Sequence, residues 1–404
     1  MGYMSMNSKS IEVDVLVIGA GITGLAVAAS AAQAGLSVCL LDRKLPKRPV
    51  NMPIETPQAW VSALAKPAIE LLQSLDLWPS LIKRACSYQK MHIKMGLNCD
   101  LELSSHDIGE QSLGYIVENA AIRESLWAYC SNKPGIVTVM EDLPERWCAD
   151  DSCLKTKHGV KVNAQICVGA DGTGSWSRKE AGIVCDHDEN IDDIAWVGTF
   201  THTNMHEATA RQCFDDDGVL GLLPSYDYHK SIFVWSVKKE KIPHDESKVI
   251  DSVKASIEQS FPSYGTCSVD SSMRQHVIHS QGARAYWKNH IVLVGDAATS
   301  VHPLAGQGLN IGLRQAILLT RQLKKAKRAH RRLSDHYYLS RYAKSCQGYD
   351  ALSRKIYQQC RLQGGQNHGI IGRVLNFGTA FVNQSQWLKR ILIDHALHAD
   401  MPAD

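Results

Sequence analysis

The sequence lacks any apolar run of about eighteen residues, the length that a membrane-spanning helix needs, so no such helix is predicted. Met1 to Ser10 has no apolar core typical of a secretory signal. The same segment is not the arginine-rich, amphipathic leader of an imported organellar protein. We therefore expect a protein of the bacterial cytoplasm.

Strong charge of either sign is also absent, because 44 lysines and arginines are offset by 41 aspartates and glutamates, with a net charge of +3. This balance is too weak to predict a nucleic-acid partner. Internal repeats and low-complexity segments are not evident. At 404 residues, with 44% hydrophobic and 21% charged residues, the chain is expected to form two or three globular domains.

Closely paired cysteines are missing, although the chain has 12 cysteines. The nearest two, Cys148 and Cys153, lack CxxC spacing and a neighbouring histidine pair, so no metal site is predicted. Cys39 and Cys167 fall inside apolar strand patterns, which indicates reduced thiols in a reducing compartment. No Ser-His-Asp, Cys-His or paired-carboxylate arrangement stands out, so no catalytic side chain is predicted.

Glycine, by contrast, is concentrated in three motifs, of which the first occupies residues 11–42. Its pattern predicts a strand, a glycine turn, a helix and a second strand. In the G-x-G-x-x-G of Gly19, Gly21 and Gly24, the glycines permit a tight turn, the approach of a pyrophosphate and close helix–strand packing, respectively. Asp42 ends the second strand, where a carboxylate binds the ribose hydroxyls of an adenosine. This motif alone does not separate FAD from NAD.

The second motif, HIVLVGDAATSVHPLAGQGLNIGLRQAILL, occupies residues 290–319. Ile291 to Gly295 predicts a buried strand of a parallel sheet, and Asp296 lies where that strand ends. An apolar helix is predicted to begin near Leu309, with its positive end towards the bound ligand. Small or rigid residues in the intervening loop let a flat ligand approach the backbone amides: Pro303, Gly306 and Gly308.

The third motif, ICVGADGTGSWSRKEAG, occupies residues 166–182. It predicts a strand, a turn that carries Asp171 and Gly172, and a short helix that carries Arg178. Arg178 either binds a phosphate, because a guanidinium matches phosphate oxygens in geometry, or pairs with a nearby carboxylate.

Elsewhere the pattern is less specific. Helices are predicted over 61–75, 115–130 and 248–260, and short strands between 183 and 288. Seven basic residues between Arg321 and Arg332 indicate either a solvated helix end or a docking site for anionic lipid or an acidic protein. Residues 333–400 look helical and amphipathic, and we expect them to pack on the protein, to form an oligomer contact or to lie on a membrane.

The three motifs resemble those of the class A flavoprotein aromatic hydroxylases. GYIVENAAIRESLW and HPLAGQGLN are similar to the branch that hydroxylates ubiquinone precursors. The resemblance implies an α/β fold with a Rossmann-like FAD-binding domain of the glutathione-reductase type, an inserted, mostly antiparallel β-sheet substrate domain and a helical C-terminal region. The expected boundaries are 11–182 for the FAD-binding domain (with 80–112 contributing to the substrate sheet), 183–288 for the substrate domain, 289–330 for the second part of the FAD-binding domain, and 331–404 for the helical region.

The resemblance also implies how FAD is held. Asp296 would bind a ribityl hydroxyl, and the helix after the loop would face the N1–C2=O edge of the isoalloxazine ring. Asn119 and Arg123, four residues apart on one helix, would contact the ribityl chain and a phosphate. The predicted cofactor-binding set is Gly19, Gly21, Gly24, Asp42, Arg43, Asn119, Arg123, Asp171, Gly172, Asp296, Pro303, Gly306, Gly308, Leu309 and Asn310, with Gln307 in the same flavin-edge loop.

Three residues depart from the family pattern. Trp60 stands where an arginine usually approaches the cofactor, and Arg43 and Arg123 are the candidates to replace it. Thr299 follows GDAA where histidine is common, and Gln315 follows NxG where aspartate is usual. Both are candidates to disturb the hydrogen bonds that order the loop.

The implied activity is hydroxylation of the ring of a polyprenylated phenol in ubiquinone biosynthesis. NAD(P)H would reduce FAD, O2 would form a flavin C4a-hydroperoxide, and its distal oxygen would attack the electron-rich ring. Expected partners are other proteins of that pathway, the surface of the inner membrane and a second copy of the chain. Two alternatives stay open: a flavin-dependent reductase of a prenyl lipid, and a non-catalytic flavin-binding assembly protein.

Overall fold

The structure is a computed structural model that describes residues 10–46, 59–95, 99–133, 135–187, 193–215, 218–242, 245–301 and 308–363. Its strands are β1 (Ser10–Ile18), β2 (Val38–Asp42), β3 (Val61–Leu64), β4 (Ala85–Tyr88), β5 (Lys90–Met95), β6 (Cys99–Ser104), β7 (Gly114–Glu118), β8 (Val137–Glu141), β9 (Pro144–Cys148), β10 (Cys153–Thr156), β11 (Lys161–Gly169), β12 (Cys185–His187), β13 (Asp193–His202), β14 (Thr209–Phe214), β15 (Gly218–Pro224), β16 (Lys230–Lys238), β17 (Cys267–Val269), β18 (Arg274–Val277), β19 (Gln281–Ala283), β20 (Trp287–Lys288), β21 (Ile291–Leu293) and β22 (Thr299–Ser300).

The helices lie between and after these strands. They are α1 (Ile22–Gln33), α2 (Lys66–Ser74), α3 (Trp78–Leu81), α4 (Asn119–Ser131), α5 (Trp176–Glu180), α6 (Glu246–Ser260), α7 (Gly308–Arg328) and α8 (His336–Gln363). None of the helices in the described ranges is both long and apolar enough to cross a bilayer.

The first sheet has the strand order β20-β21-β11-β1-β2-β8, with β9 and β10 added beside β11. The pairs β21–β11, β11–β1, β1–β2 and β2–β8 are parallel. Continuous apolar runs such as Val15–Ile18 suit strands that are covered on both faces, and these residues are at most 4% exposed. Because parallel strands end at one edge, the turns after β1, β2, β11 and β21 meet there.

The second sheet is mostly antiparallel, in the order β17-β13-β16-β15-β14-β5-β6, with β18 also paired to β13. Only β14 and β5 run parallel among the pairs described. Alternation along β13 directs Phe200 into a core with helix α6, whereas Val197 packs in a different cluster towards β3, β4 and β7. The face of the sheet that carries Val197 therefore lies towards the three glycine-containing motifs of the chain.

The α/β fold class predicted from the sequence is confirmed, and so are the strand that ends before Asp296, the helix near Leu309 and the helix over 248–260. Residues 90–104 supply strands to the second sheet, as expected. The exact domain boundaries stay predictions. Of the predicted helical C-terminal region, the structure describes the part that ends with α8 (His336–Gln363). The rest of that region lies outside the described residues.

Two predicted helices were wrong at their first residues. Residues 61–64 form β3, and the helix α2 begins only at Lys66, since Pro67 is well placed in the first turn of a helix and not in its interior. Residues 114–118 form β7, which pairs with both β3 and β4, and α4 begins at Asn119. In both places, pairing between distant strands prevails over apolar spacing.

Candidate active site

The glycine turn between β1 and α1 forms the centre of the site. Gly19 has φ +110°, and a Cβ there would lie 2.3 Å from the carbonyl oxygen of Ala170. A Cβ at Gly24 would lie 1.9 Å from the carbonyl oxygen of Gly19. Gly21, in contrast, has no atom within 4 Å of its Cβ position and is exposed. Backbone packing therefore requires two of the glycines, and the third leaves open space at the start of a helix.

A cleft of about 890 Å³, the outer cleft, opens beside this turn. Asp42 ends β2 here, and its carboxylate accepts hydrogen bonds from the amides of Ala20 at 2.5 Å and Lys44 at 3.1 Å. The Arg123 guanidinium reaches across from α4 and donates to the Ala20 carbonyl oxygen at 3.4 Å. Arg43 and Gly172 also line this cleft.

A second space of about 530 Å³, the inner cavity, continues from the outer cleft, and the two share Gly21, Ala170, Gly172 and Thr173. One side is formed by turns of the first sheet and the start of α7. The other side is formed by the second sheet. Residues that represent the two sides are Asp296, Gly308 and Leu309 on the first, and Ala195, Val197, Val234 and His276 on the second.

Asp296 lies in a 3₁₀ turn directly after Gly295, which has φ +61°. The side chain of Asp296 is open to the inner cavity, but protein surrounds it closely enough that desolvation raises the pKa of its carboxyl above the ordinary value. A hydrogen-bond donor placed in the cavity would stabilise the ionised form. The start of α7 at Gly308 directs the positive end of that helix into the same cavity.

The turn after β11 is ordered by Asp171. Its carboxylate accepts hydrogen bonds from the Ser175 hydroxyl at 2.5 Å, and from the Ser177 amide at 2.8 Å and hydroxyl at 3.0 Å. Gly172 follows with φ +79° and lines both the outer cleft and the inner cavity. The Asp171 carboxylate thus fixes the turn, and the backbone of Gly172 lies at the site.

Both predicted roles of Arg178 were wrong. The side chain is 5% exposed and donates to the carbonyl oxygens of Ala297, at 2.9 Å, and Thr173, at 2.7 Å. It therefore ties the turn after β11 to the turn after β21. With both terminal nitrogens bonded to carbonyl oxygens, this buried guanidinium is not available to a phosphate, and no carboxylate pairs with it among the residues that the structure describes.

A model of the FAD-binding domain family matches residues 12–347. The chain belongs to this family. A relative from Escherichia coli, 3-demethoxyubiquinol 3-hydroxylase, is 26% identical over 332 residues, which cover 81% of this chain and 84% of that protein. Ubiquinone hydroxylase UbiL of Rhodospirillum rubrum is 27% identical over 321 residues, covering 78% and 73%.

Solved structures show the same fold. PqsL of Pseudomonas aeruginosa, a probable FAD-dependent monooxygenase, superposes with a TM-score of 0.73 at 18% identity over 92% of this chain and 100% of that one. The p-nitrophenol 4-monooxygenase PnpA of Pseudomonas putida gives 0.75 at 16% identity, over 96% and 98%. The predicted membership of the class A flavoprotein hydroxylases is confirmed, and FAD is the cofactor of the family to which the chain belongs.

The geometry of this flavoprotein fits FAD. Gly21 and Gly308 leave open space where a Cβ would stand, each at the start of a helix that points at the site. Asp42 lines the outer cleft, and Asp296 lines the inner cavity that continues from it. An elongated dinucleotide with an adenosine end and a flat ring matches two connected spaces of this kind.

Asn119 and Arg123 serve different parts of this site. Asn119 lines the inner cavity, and its Oδ1 accepts a hydrogen bond from the Ser62 hydroxyl at 2.7 Å, whereas Arg123 lines the outer cleft. Asn310 is 3% exposed and binds backbone of the segment after β3: its Oδ1 accepts from the Ala65 amide and its Nδ2 donates to the Ala63 carbonyl. The predicted residues Pro303, Gly306 and Gln307 lie outside the described residues.

The two departures from the family pattern near α7 both make hydrogen bonds. The Thr299 hydroxyl donates to the Gln281 carbonyl oxygen at 3.3 Å, where β22 pairs with β19. The Gln315 side-chain oxygen accepts from the Gly295 amide at 2.6 Å. The loop that carries Asp296 is therefore ordered by these residues.

No sequence pattern indicated that His276 and Val234 would line the cavity. Val234 lines the cavity only because β16 pairs with β13 in a register that opposes it to Val197. The His276 ring lies against Trp60, and burial, followed by the charge of Arg274, lowers the pKa of His276. The alternation of side chains along β13 could have predicted that Ala195 and Val197 face the same side of the sheet. A single histidine on β18 belongs to no pattern that would place it in the cavity.

Proposed function

We propose that this flavoprotein hydroxylates the aromatic ring of a polyprenylated phenol in ubiquinone biosynthesis, with O2 as the oxygen source. The observation that carries the proposal is the inner cavity, which is bounded by the FAD-binding turns on one side and by an apolar sheet face on the other. Relatives named as ubiquinone hydroxylases support this substrate class.

The predicted cofactor residues take distinct roles in this proposal. The open backbone at Gly21 and the start of α1 receive the pyrophosphate, and Arg123 adds a positive charge beside it. Asp42 accepts hydrogen bonds from the ribose hydroxyls. Asp296 accepts one from the ribityl chain, and the start of α7 places its positive end beside the ring. When bound, FAD supplies the redox and oxygen chemistry.

The second sheet provides the walls for the substrate ring. Ala195, Val197 and Val234 present small or branched apolar groups to the inner cavity, so they exclude water from the reacting ring. Trp60 and Val277 line the inner cavity and are 47% and 61% exposed, so they lie where it opens to solvent. The prenyl chain of the proposed substrate leaves the cavity past these two side chains.

We also propose the division into domains at 182/183, 288/289 and 330/331, because the sheet described for 193–277 is separate from the parallel sheet. Limited proteolysis followed by mass spectrometry of the fragments tests it. Cuts clustered near these positions support the boundaries, and cuts confined to other loops contradict them.

A further part of the proposal is peripheral membrane binding through basic residues of the 321–332 segment. Lys324, Arg328 and Arg331 are exposed near or beyond the end of α7. Each basic group near an anionic bilayer contributes about 1 kcal/mol to attraction. Co-sedimentation with anionic vesicles, but not with neutral ones, is expected, and the triple change to glutamate should abolish it. Equal sedimentation with both kinds of vesicle contradicts this role.

The substrate is tested by mass spectrometry of quinone intermediates in a strain that lacks the protein. We expect an intermediate that lacks one ring hydroxyl group to accumulate, and wild-type protein to clear it. Asp296→Ala protein, which is expected to lose FAD, should not clear it. An intermediate that differs instead in the saturation of its prenyl chain would identify a reductase, and an unchanged quinone profile would contradict the proposed pathway.

A further inference from the structure

A buried chain of hydrogen bonds lies behind the turn that carries Asp296. The Gly295 amide donates to Gln315 Oε1 at 2.6 Å, and Gln315 Nε2 donates to Asp350 Oδ2 at 2.7 Å. The Tyr286 hydroxyl donates to the same Asp350 oxygen at 2.7 Å. Gln315 is 0%, Asp350 1% and Tyr286 3% exposed, so water does not compete for these bonds. The chain links helix α8 through α7 to the flavin site.

The direction of this chain depends on Asp350. A primary amide offers an acceptor at one end and donors at the other, and nothing in its shape selects which end faces Gly295. An ionised carboxylate only accepts hydrogen bonds. Asp350 therefore attracts the NH2 end of Gln315 and leaves the oxygen for the Gly295 amide. Without this acceptor, the Gln315 amide is free to flip, and its NH2 group would then face the Gly295 N–H, so that two donors would meet without an acceptor.

The Gly295 amide is the point at which this orientation matters. Gly295 holds φ +61°, and its hydrogen bond supports the turn that directs Asp296 into the inner cavity. The packing there is close, because a Cβ at Gly312 would lie 2.5 Å from the Thr23 hydroxyl and 3.4 Å from Gly295 Cα. Helix α7 thus offers little room for another side chain to take over from Gln315.

We propose that Asp350 is a positioning residue of the flavin site, which holds the Gly295–Asp296 turn through the oriented amide of Gln315. Asp350 lies beyond residues 12–347, the range matched by the family model. The inference rests on FAD binding and does not depend on the identity of the substrate.

The ionisation of Asp350 fixes the conditions of the test. Burial raises the pKa of Asp350 to about 6, whereas the donors Tyr286 and Gln315 and the charge of Arg314 lower it. At pH 8 the carboxyl is ionised and acts only as an acceptor. Measurements at this pH therefore compare variants in the state that orients Gln315.

The test is a double-mutant cycle on the affinity of apoprotein for FAD, measured by quenching of flavin fluorescence at pH 8. Asp350→Leu and Gln315→Met remove the two side chains at similar volume. Each single change should weaken FAD binding about 10-fold, equivalent to about 1.4 kcal/mol. If Asp350 acts through Gln315, the double variant should bind no more weakly than Gln315→Met alone.

Two controls separate positioning from general destabilisation. Ser353→Ala alters another buried side chain of α8, 2% exposed, whose hydroxyl has no partner among the described residues. Ser353→Ala should leave FAD affinity unchanged, and the melting temperature of each apoprotein shows how much stability was lost. Asp350→Asn keeps an acceptor and should restore most of the affinity lost in Asp350→Leu.

An Asp350→Leu variant that binds FAD as tightly as the wild type would overturn the proposal. A double variant whose loss of FAD affinity equals the product of the two single losses would also overturn it, because the two side chains would then act independently. If Asp350→Leu does not fold, Asp350→Ala replaces it in the double-mutant cycle. The FAD affinity of Asp350→Asn is then compared with that of Asp350→Ala. An equal loss in Ser353→Ala would assign the effect to α8 packing and also contradict the proposal. None of these outcomes depends on whether a prenylated phenol is hydroxylated.

Discussion

The indole of Trp60 lies against the imidazole of His276, with ring centroids 4.2 Å apart and planes at 54°, on the wall of the inner cavity. The family resemblance leads us to expect an arginine at the position of Trp60, and the structure has an aromatic ring there, on the lining of the inner cavity. His276 Nε2 is covered and has no partner among the described residues. The contact therefore makes this rim apolar, as a prenyl chain would require.

Trp60→Ala is expected to raise the KM for a long-chain phenol roughly 10-fold, because burial of an aromatic side chain contributes about 1.5–3 kcal/mol. The kcat and FAD affinity should change little, since the indole contacts the rim. Steady-state NADH oxidation with short-chain and long-chain phenols measures the difference. Tyr228→Ala, which removes an exposed aromatic outside the cavity lining, is the control and should not change KM. Equal KM values for wild type and Trp60→Ala would contradict a prenyl path here.

Asp296→Ala should yield largely colourless protein, because it removes the carboxylate that we propose binds the ribityl chain of FAD. Visible absorbance of the purified protein, together with FAD released on denaturation, measures the occupancy. Asp251→Ala changes an exposed carboxylate on α6 and should keep full flavin content. Full occupancy in Asp296→Ala would remove this residue from the proposed site.

Gly21→Val and Gly24→Ala should fail in different ways. Gly21 has an ordinary φ of −72° and open space at its Cβ position, so the valine variant should fold but lose FAD. Gly24→Ala brings a Cβ within 1.9 Å of a carbonyl oxygen, so it should lower the melting temperature of the apoprotein. Thermal unfolding of both apoproteins and titration with FAD separate the two effects. Retained FAD affinity in Gly21→Val would contradict the pyrophosphate site.

The second sheet should lose stability in acid because of His202. Burial lowers the pKa of His202 to about 4. In the neutral ring, Nδ1–H donates to the Asn204 carbonyl oxygen at 2.6 Å, and Nε2 accepts from the Ser231 hydroxyl at 2.9 Å. The pKa of a histidine in the unfolded chain is near 6.5, so between pH about 6.5 and 4 the unfolded chain binds more protons at this residue than the folded protein does. The stabilisation is complete above pH about 6.5 and falls by up to about 3 kcal/mol as the pH approaches 4.

Urea unfolding at pH 7 and pH 5 measures this loss. His202→Asn should flatten the pH dependence, whereas His106→Asn, at an exposed histidine, should leave it unchanged. An equally steep loss of stability in His202→Asn would assign acid sensitivity to other groups.

Sequence patterns predicted the parts of the site that depend on local backbone chemistry. The turn at Gly19–Gly24 and the helix after Asp296 follow from residues close together in the chain. Strands β3 and β7 were missed because their pairing joins segments more than 50 residues apart, as in Val61 with Glu118. Arg178 was misread because a motif shows a guanidinium but not whether a carbonyl or a ligand receives it. The link from Asp350 to Gly295 likewise depends on how α8 packs.

The most direct measurement of the central claim is a reaction of purified holoprotein with NADH or NADPH, a polyprenylated phenol and isotopically heavy O2, followed by mass spectrometry of the product. The account predicts one new ring hydroxyl group whose oxygen comes from O2, and no product with Asp296→Ala protein. A holoprotein that oxidises either nicotinamide without transferring oxygen to the ring, or a product whose new oxygen comes from water, would contradict it.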